Sequence, residues 1–488
     1  MSEAAGVGTS PREGVLDRRR AGLLLHLGSL DAGDGGVLGA RARRTIDWMS
    51  EAGFSVWQVL PVGPPGSDGS PYWVSSDYAG DTALVDLQEL PGFPQGERSH
   101  GSCAEAADDF ARHATEAARQ GFAAFCRASR SWLEDYVLFT VLRRAHGGAP
   151  WTRWPDALKR RVPDALGQVR LGHAEDLQRE RIMQYFFEAQ WQKLRAYANG
   201  RGVRFFGDLP IYVAPDSVET WAHPEQFHLA ANGEPACLGG VPPDYFTADG
   251  QLWGNPLYDW RRMRREGYAH WRARLRRQLE RFDLVRLDHF RGLAAYWAVP
   301  AGAANARAGR WRRAGGHGLL TAFTRELGAS LPLVAEDLGV ITADVERLRD
   351  RFHLPGMRVL QFAFDGSADN PHLPHNHVRE AIVYTGTHDN DTSLGWYRSL
   401  DDETRSRVDF YFGGGAEMMP DALVRAALAS VARLAVLPVQ DLLGLGREAR
   451  LNTPGTPQGN WAWRLPPDAL SRELAVRYRA LIRAFGRG

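Results

Sequence analysis

The sequence predicts an α/β fold, a (β/α)8 barrel interrupted by inserted subdomains, and three observations carry that prediction. Short apolar runs alternate with amphipathic segments, the grammar of a parallel sheet covered by helices. Each run ends in a polar or Gly-rich loop, so polar side chains collect beyond the carboxyl ends of the strands. No sequence period of about 20–50 residues recurs, which argues against a solenoid or a propeller.

The elements follow in order. Leu23-Leu24-Leu25 is a strand closed by Gly28-Ser29 and the Gly-rich stretch 31–39. Residues 40–52 carry Ala42, Ile46 and Met49 at helical spacing, and Gly53 stops the helix. Residues 54–60 form a second strand, broken by Pro61-Val62-Gly63-Pro64-Pro65-Gly66. From about 104 to 200 the chain is charged and mainly helical, with Trp132, Phe139, Phe186, Phe187 and Trp191 on apolar stripes expected to fill a core. Further strands are expected at 205–209, 284–287, 333–335, 359–364 and 382–384. Amphipathic segments such as 268–282, 342–352 and 420–434 lie between them. Residues 1–20 read as a flexible tail, with order from about Gly22. Residues 21–488 read as one barrel, with a mainly helical insertion at about 85–200 and a loop-rich one at about 213–270.

Composition bounds the partners. At 44% hydrophobic and 24% charged residues, the 488-residue chain is an ordinary globular protein. Its net charge of +1 removes the electrostatic case for nucleic acid or an anionic membrane. No apolar run approaches the ~18–20 residues that span a bilayer, and no apolar core precedes the first arginines as in a signal peptide. Cys103, Cys126 and Cys237 are odd in number and lack C-x-x-C spacing, which disfavours disulfides and zinc and points to the reducing cytoplasm. The 16 Trp, 14 Tyr and 21 Phe exceed what a core obviously needs, and Trp and Tyr also stack on flat apolar faces while keeping a polar tip.

Four segments deliver acidic residues to strand ends. Phe205-Phe206-Gly207-Asp208 ends in Asp208, Leu333-Val334-Ala335-Glu336 in Glu336, and Tyr384 to Thr392 contains His388-Asp389. Leu284-Val285-Arg286-Leu287-Asp288 puts Arg286 and Asp288 on one face, since strand side chains repeat every two residues. A carboxylate at a strand end is often only a helix cap. Asp288 differs, because Arg286 would hold it ionised, which suits a nucleophile. Glu336 follows a wholly apolar strand, where burial raises a carboxyl pKa and suits a general acid. One carboxylate charged and one protonated is the requirement of retaining glycoside chemistry. A metal site built from Asp208, Asp288, Glu336, His388 and Asp389 is the competing reading, and the cation of Arg286 counts against it. The sequence contains no H-E-x-x-H, G-x-x-x-x-G-K-[ST] or G-x-S-x-G motif, and Gly35-Gly36-Val37-Leu38-Gly39 does not match the dinucleotide fingerprint.

A family resemblance rests on a series of segments. These are Trp57-Gln58-Val59-Leu60-Pro61, Ser70-Pro71-Tyr72, Gly207-Asp208-Leu209-Pro210-Ile211-Tyr212-Val213 and Gly240-Val241-Pro242-Pro243-Asp244-Tyr245-Phe246. They continue with Gly250 to Tyr258, Arg286 to Gly292, Ala335 to Gly339, Thr385 to Thr392, Arg450 to Thr456 and Gly459 to Arg464. In chain order from about Gly22 to Trp463, they resemble the amylomaltases, the 4-α-glucanotransferase or disproportionating-enzyme family (glycoside hydrolase family 77). The resemblance implies an α-amylase-type barrel without a C-terminal β-sandwich. It implies Asp288 as nucleophile, Glu336 as general acid/base, and Asp389 as a third carboxylate that clamps sugar hydroxyls. Arg286 would orient the nucleophile, while His388 and Asp208 would bind the sugar in the cleaved subsite. Tyr72, Asp244, Tyr245, Phe246, Trp253 and Asn390 would line the donor and acceptor subsites. No metal or organic cofactor is implied. The implied partners are an α-1,4-glucan donor and a glucose or maltooligosaccharide acceptor, with no nucleic acid and no membrane, in a monomer or weak homo-oligomer.

The wording departs from the family where Ala79-Gly80 is followed by Asp81-Thr82 instead of Asn-Pro, at Leu287 where Ile is common, and at Trp73-Val74-Ser75-Ser76. Two rival functions share the scaffold: an α-glucan hydrolase and a non-catalytic glucan-binding protein.

Overall fold

A computed structural model describes residues 14–30, 36–66, 68–93, 101–243, 248–456 and 458–488. Its strands in chain order are β1 (Arg20–Leu24), β2 (Val56–Gln58), β3 (Arg204–Pro210), β4 (Cys237–Val241), β5 (Gln251–Pro256) and β6 (Leu284–Asp288). They continue as β7 (Ala295–Pro300), β8 (Arg310–Arg313), β9 (Leu333–Ala335), β10 (Gly356–Val359), β11 (Ala381–Tyr384) and β12 (Leu434–Pro438). Eight of them pair in parallel in the order β10-β11-β12-β1-β2-β3-β6-β9. Ala335 N–H donates to Pro355 O at 2.9 Å between the two end strands, and the sheet closes as a (β/α)8 barrel. The expected fold class is the observed one.

Alternation along each strand builds two cores. Leu24, Val56, Phe206, Leu284, Val334, Met357, Val359, Ile382, Tyr384, Leu434 and Val436 fill the barrel interior. Leu23, Trp57, Phe205, Val285, Leu287, Leu333, Val383 and Ala435 face outward to the helices. The helix Ala40–Ala52 shows the covering layer. It buries Ala42, Thr45, Ile46, Trp48, Met49 and Ala52, and Gly53 caps it at φ 87°, a left-handed turn that glycine adopts without strain.

Six of the seven expected strands are present where expected, and the seventh lies upstream of its expected position. The run at 359–364 is not itself a strand: β10 ends at Val359, and Leu360–Phe362 turn as a 3-10 helix. β1 starts at Arg20, because the Arg20 Nε–H donates to Val15 O at 2.8 Å and ties down the chain before Gly22. The eighth strand, β12, has no counterpart among the expected ones. Its five buried residues abut the helix Asp421–Ala429, so the apolar pattern runs on without a clear change of period.

Among the described residues between β2 and β3 lie six α-helices, from Cys103–His113 to Ala174–Gly200. Trp132 packs in a helical core of its own with Phe139, Trp154 and Trp221. Phe186, Phe187 and Trp191 belong instead to the barrel's outer core, where Trp191 lies 5.0 Å from Phe205 between ring centroids. The loops that follow the carboxyl ends of β3 and β6 supply β4, β5, β7 and β8. These form a separate antiparallel sheet in the order β5-β4-β7-β8, which the sequence reading treated as loop. Asp81, where the family wording fails, caps the 3-10 turn Thr82–Leu84 by accepting from Ala83 N at 3.0 Å. That role suits Asp as well as Asn. Among the described residues, no helix is long and apolar enough to cross a membrane.

Candidate active site

The site grows from strand register. β3 pairs with β6 so that Asp208 stands opposite Arg286 and Pro210 opposite Asp288. Leu284 points into the barrel, so Arg286 and Asp288, two and four residues on, point inward at the carboxyl end. Val334 likewise faces inward, which brings Glu336 to the same mouth from the end of β9.

Arg286 is the hub. Its guanidinium donates to Asp208 Oδ2 from Nε at 3.0 Å and from Nη2 at 2.8 Å, and Nη2 also donates to Asp288 Oδ1 at 2.8 Å. The Tyr72 hydroxyl joins them: it donates to Asp208 Oδ2 at 2.6 Å, accepts from Arg286 at 3.1 Å and meets His388 Nε2 at 2.8 Å. The Tyr72 and His388 rings stack with centroids 5.3 Å apart. His388 Nε2 lies 3.4 Å from Asp389 Oδ2, and Asp389 Oδ1 accepts from Asn452 Nδ2 at 2.6 Å. Glu336 accepts two backbone N–H bonds, from His289 at 2.8 Å and Leu338 at 2.9 Å. One hydrogen-bonded system therefore joins Tyr72, Asp208, Arg286, Asp288 and His388, Asp389 lies 3.4 Å from the His388 ring, and Glu336 stands beside them on the backbone of His289. Arg286 occupies the space between Asp208 and Asp288 that a shared metal ion would need.

Electrostatics separates the two central carboxyls. Burial, then the charge of Asp288, pushes Glu336 up to about 8. Burial also raises Asp288, against the opposing pull of Arg286, so Arg286 does not depress that carboxyl below its ordinary range as the sequence reading expected. Of the pair, Glu336 retains its proton to the higher pH. Burial lowers His388, which favours the neutral ring, and holds the Tyr72 phenol protonated.

Above these groups lies a cleft of about 470 Å³ lined by Tyr72, Trp253, Arg286, Asp288, Glu336 and Asp389 among others. Trp253 stands edge-on to His289, with centroids 4.7 Å apart. Asp208 is only 1% exposed and lies beneath the floor behind Tyr72 and Arg286, with Oδ1 unpartnered; His388 is 5% exposed. Asn390 turns back on its own loop, where its Oδ1 accepts from Thr387 N at 2.8 Å. Asp244, Tyr245 and Phe246 lie outside the described residues. The sequence reading assigned no role to Asn452, Trp461, Trp73, Gln251 or His289, all of which line the cleft. The segments 250–258, 286–292, 450–456 and 459–464 that carry the family resemblance contain Gln251, His289, Asn452 and Trp461, whereas Trp73 stands where the wording departs from the family.

Comparison with known proteins gives a consistent result. The family described as 4-alpha-glucanotransferase, glycoside hydrolase family 77, matches residues 25–471. A 4-alpha-glucanotransferase of Thermus thermophilus is 48% identical over 96% of this chain and 98% of its own length. One of Synechocystis sp. is 43% identical over 97% and 99%. Among solved structures, an amylomaltase of Streptococcus agalactiae in complex with acarbose superposes with a TM-score of 0.89 at 31% identity, covering 96% of this chain and all of that one.

Proposed function

This chain belongs to the 4-alpha-glucanotransferase family, enzymes that transfer glucan segments by transglycosylation, and from that premise we propose how its own residues divide the reaction. Asp288 attacks the anomeric carbon of an α-1,4-glucan while Glu336 delivers its proton to the departing glycosidic oxygen. The product is a glycosyl-aspartate. The 4-hydroxyl of an incoming glucose or maltooligosaccharide then loses its proton to Glu336 as it displaces Asp288, and the configuration at the anomeric carbon is retained. The observation that carries this reading is the contrast between two carboxyls at one barrel mouth. Glu336 is held protonated up to about 8, while Asp288 faces the guanidinium of Arg286.

Asp389, fixed by Asn452 and next to His388, is proposed to grip ring hydroxyls as the sugar distorts toward the oxocarbenium-like transition state. Tyr72 offers the donor ring a stacking face, with Asp208 and His388 acting through it from behind. Trp253, Trp73 and Trp461 line the walls where an acceptor chain can stack and displace water, so that a bound hydroxyl outcompetes the solvent. Asp244, Tyr245, Phe246 and Asn390 are proposed as further subsite residues on the strength of the sequence motifs. The three free cysteines support residence in a reducing cytoplasm, and a monomer or weak homo-oligomer is the proposed state.

Incubation with maltotriose tests the reading. Transfer produces glucose together with a ladder of longer glucans, whereas products confined to glucose and maltose would assign the chain to hydrolysis.

A further inference from the structure

We propose that the outer face of the antiparallel sheet is a second glucan-binding platform, over which the part of a long α-glucan that extends beyond the cleft is held. It rests on the reading of the cleft as the place where the glucan is cut. Leu252 pairs with Gly240, Gly240 with Trp297, and Trp297 with Trp311, so one row of residues crosses all four strands. Directly paired residues of antiparallel strands share a face. At about 4.8 Å per strand, the row runs about 14 Å from Leu252 to Trp311. Leu252 and Trp311 are 36% and 40% exposed at the two ends. Gly240, in the middle of the row, is itself buried, and a Cβ there would come within 2.3 Å of Gln251 O, so the close approach of β4 and β5 at this bulge requires glycine.

The aromatic end is rigid. The Trp297 and Trp311 rings meet edge to face at 5.2 Å, and Trp297 Nε1–H donates to Ala306 O at 2.8 Å. The Arg291 guanidinium sits 3.8 Å from the Trp311 ring centroid and covers one side of it. Arg291 also donates to Val340 O at 2.8 Å, and Val340 is 61% exposed. Such a fixed indole can accept a sugar ring without reordering, since the apolar face of a pyranose matches the ring and its hydroxyls remain in water.

Two continuities with the cleft identify a glucan as the occupant. Leu252 lies between Gln251 and Trp253 on β5, and those two residues line the cleft. Val340 lies two residues beyond Leu338, another cleft residue, on the loop that follows Glu336. Strand alternation turns Leu252 to the face opposite Gln251 and Trp253, and β5 is an edge strand of this sheet, so a chain leaving the cleft reaches the row by passing over that edge. Arg313, which shares the face with Trp311 along β8, adds a donor for hydroxyls.

The test compares wild type, Trp311→Ala, Trp311→Phe and Leu252→Asp on maltotriose and on long amylose. Trp311→Ala and Leu252→Asp should raise the KM for amylose about five-fold while leaving kcat/KM for maltotriose within about two-fold, with Trp311→Phe between wild type and Trp311→Ala. Leu252→Asp removes no ring packing, so it keeps the test valid if Trp311→Ala fails to fold. Unchanged amylose kinetics, or equal losses on both substrates, would overturn the platform. So would a dimer dispersed by Trp311→Ala, which would assign the face to a second copy of the chain. A wild type inactive on maltotriose would instead sink the reading of the cleft.

Discussion

The backbone N–H of His289 donates to Glu336 Oε2 at 2.8 Å, so the residue just past Asp288 and the end of β6 also fixes the opposing carboxyl. The two central carboxyls of the mouth are thus set relative to each other by backbone, on adjacent parallel strands β6 and β9. That arrangement leaves their chemistry to be decided by burial and charge.

Glu336 is protonated below about 8 and ionised above it. As the acid that starts the reaction, it must carry its proton, so kcat/KM should fall as pH rises through about 8. Glu336→Gln should abolish that basic limb and lower activity on maltotriose by about 10²–10⁴-fold. Its activity on a glycosyl fluoride, whose leaving group needs no proton, should survive. Equal losses on both substrates would contradict the assignment.

Asp208 and Asp288 together neutralise a guanidinium that is almost wholly buried. Removing the deeper partner by Asp208→Ala should destabilise the fold by about 3–5 kcal/mol. Tyr72→Phe takes away only a hydroxyl, removes the hydrogen bonds to Asp208 and His388 and should cost about 1–3 kcal/mol. Urea unfolding monitored by Trp fluorescence measures both.

Asn452 holds Asp389 from a segment distant in sequence. Asn452→Ala frees that carboxylate, and kcat/KM on maltotriose should fall about ten-fold while stability stays within about 0.5 kcal/mol. A loss of stability without loss of activity would show that the contact serves only the fold.

Glu219 accepts from Ser76 Oγ and Asp77 N, and burial, followed by the charge of Asp77, raises its carboxyl to about 7. The folded state therefore holds this proton more tightly than the unfolded chain, whose carboxyl titrates near 4.5. Stability should be greatest below about 4.5, decline as pH rises to about 7 and level off beyond it, as far as this group is concerned. Glu219→Gln should flatten that slope in denaturation series measured at successive pH values.

Much of this was legible in the sequence, for reasons that particular residues make plain. Strand alternation alone put Arg286 and Asp288 on one face, and the apolar run before Glu336 foretold a raised carboxyl. Register was not legible. The placement of Asp208 opposite Arg286, and so beneath the floor instead of on it, depends on how β3 and β6 slide past each other. The balance at Asp288 is not legible for a related reason, since the sequence does not reveal that burial outweighs the ion pair. The antiparallel sheet is likewise hidden in the sequence. Gly239-Gly240 in β4 and Gly254 in β5 weaken the alternating pattern that marks strands. Asn452 and Trp461 reach the cleft through chain folding that no local pattern encodes.

The central claim is that Asp288 forms a covalent bond to the sugar. Treatment with a 5-fluoro-α-glucosyl fluoride, which slows breakdown of a glycosyl-enzyme, followed by proteolysis and mass spectrometry, tests it most directly. The account predicts one added glycosyl unit on the peptide that carries Asp288, absent from Asp288→Asn. A glycosyl unit on any other residue, or an Asp288→Asn variant as active on maltotriose as wild type, would contradict it.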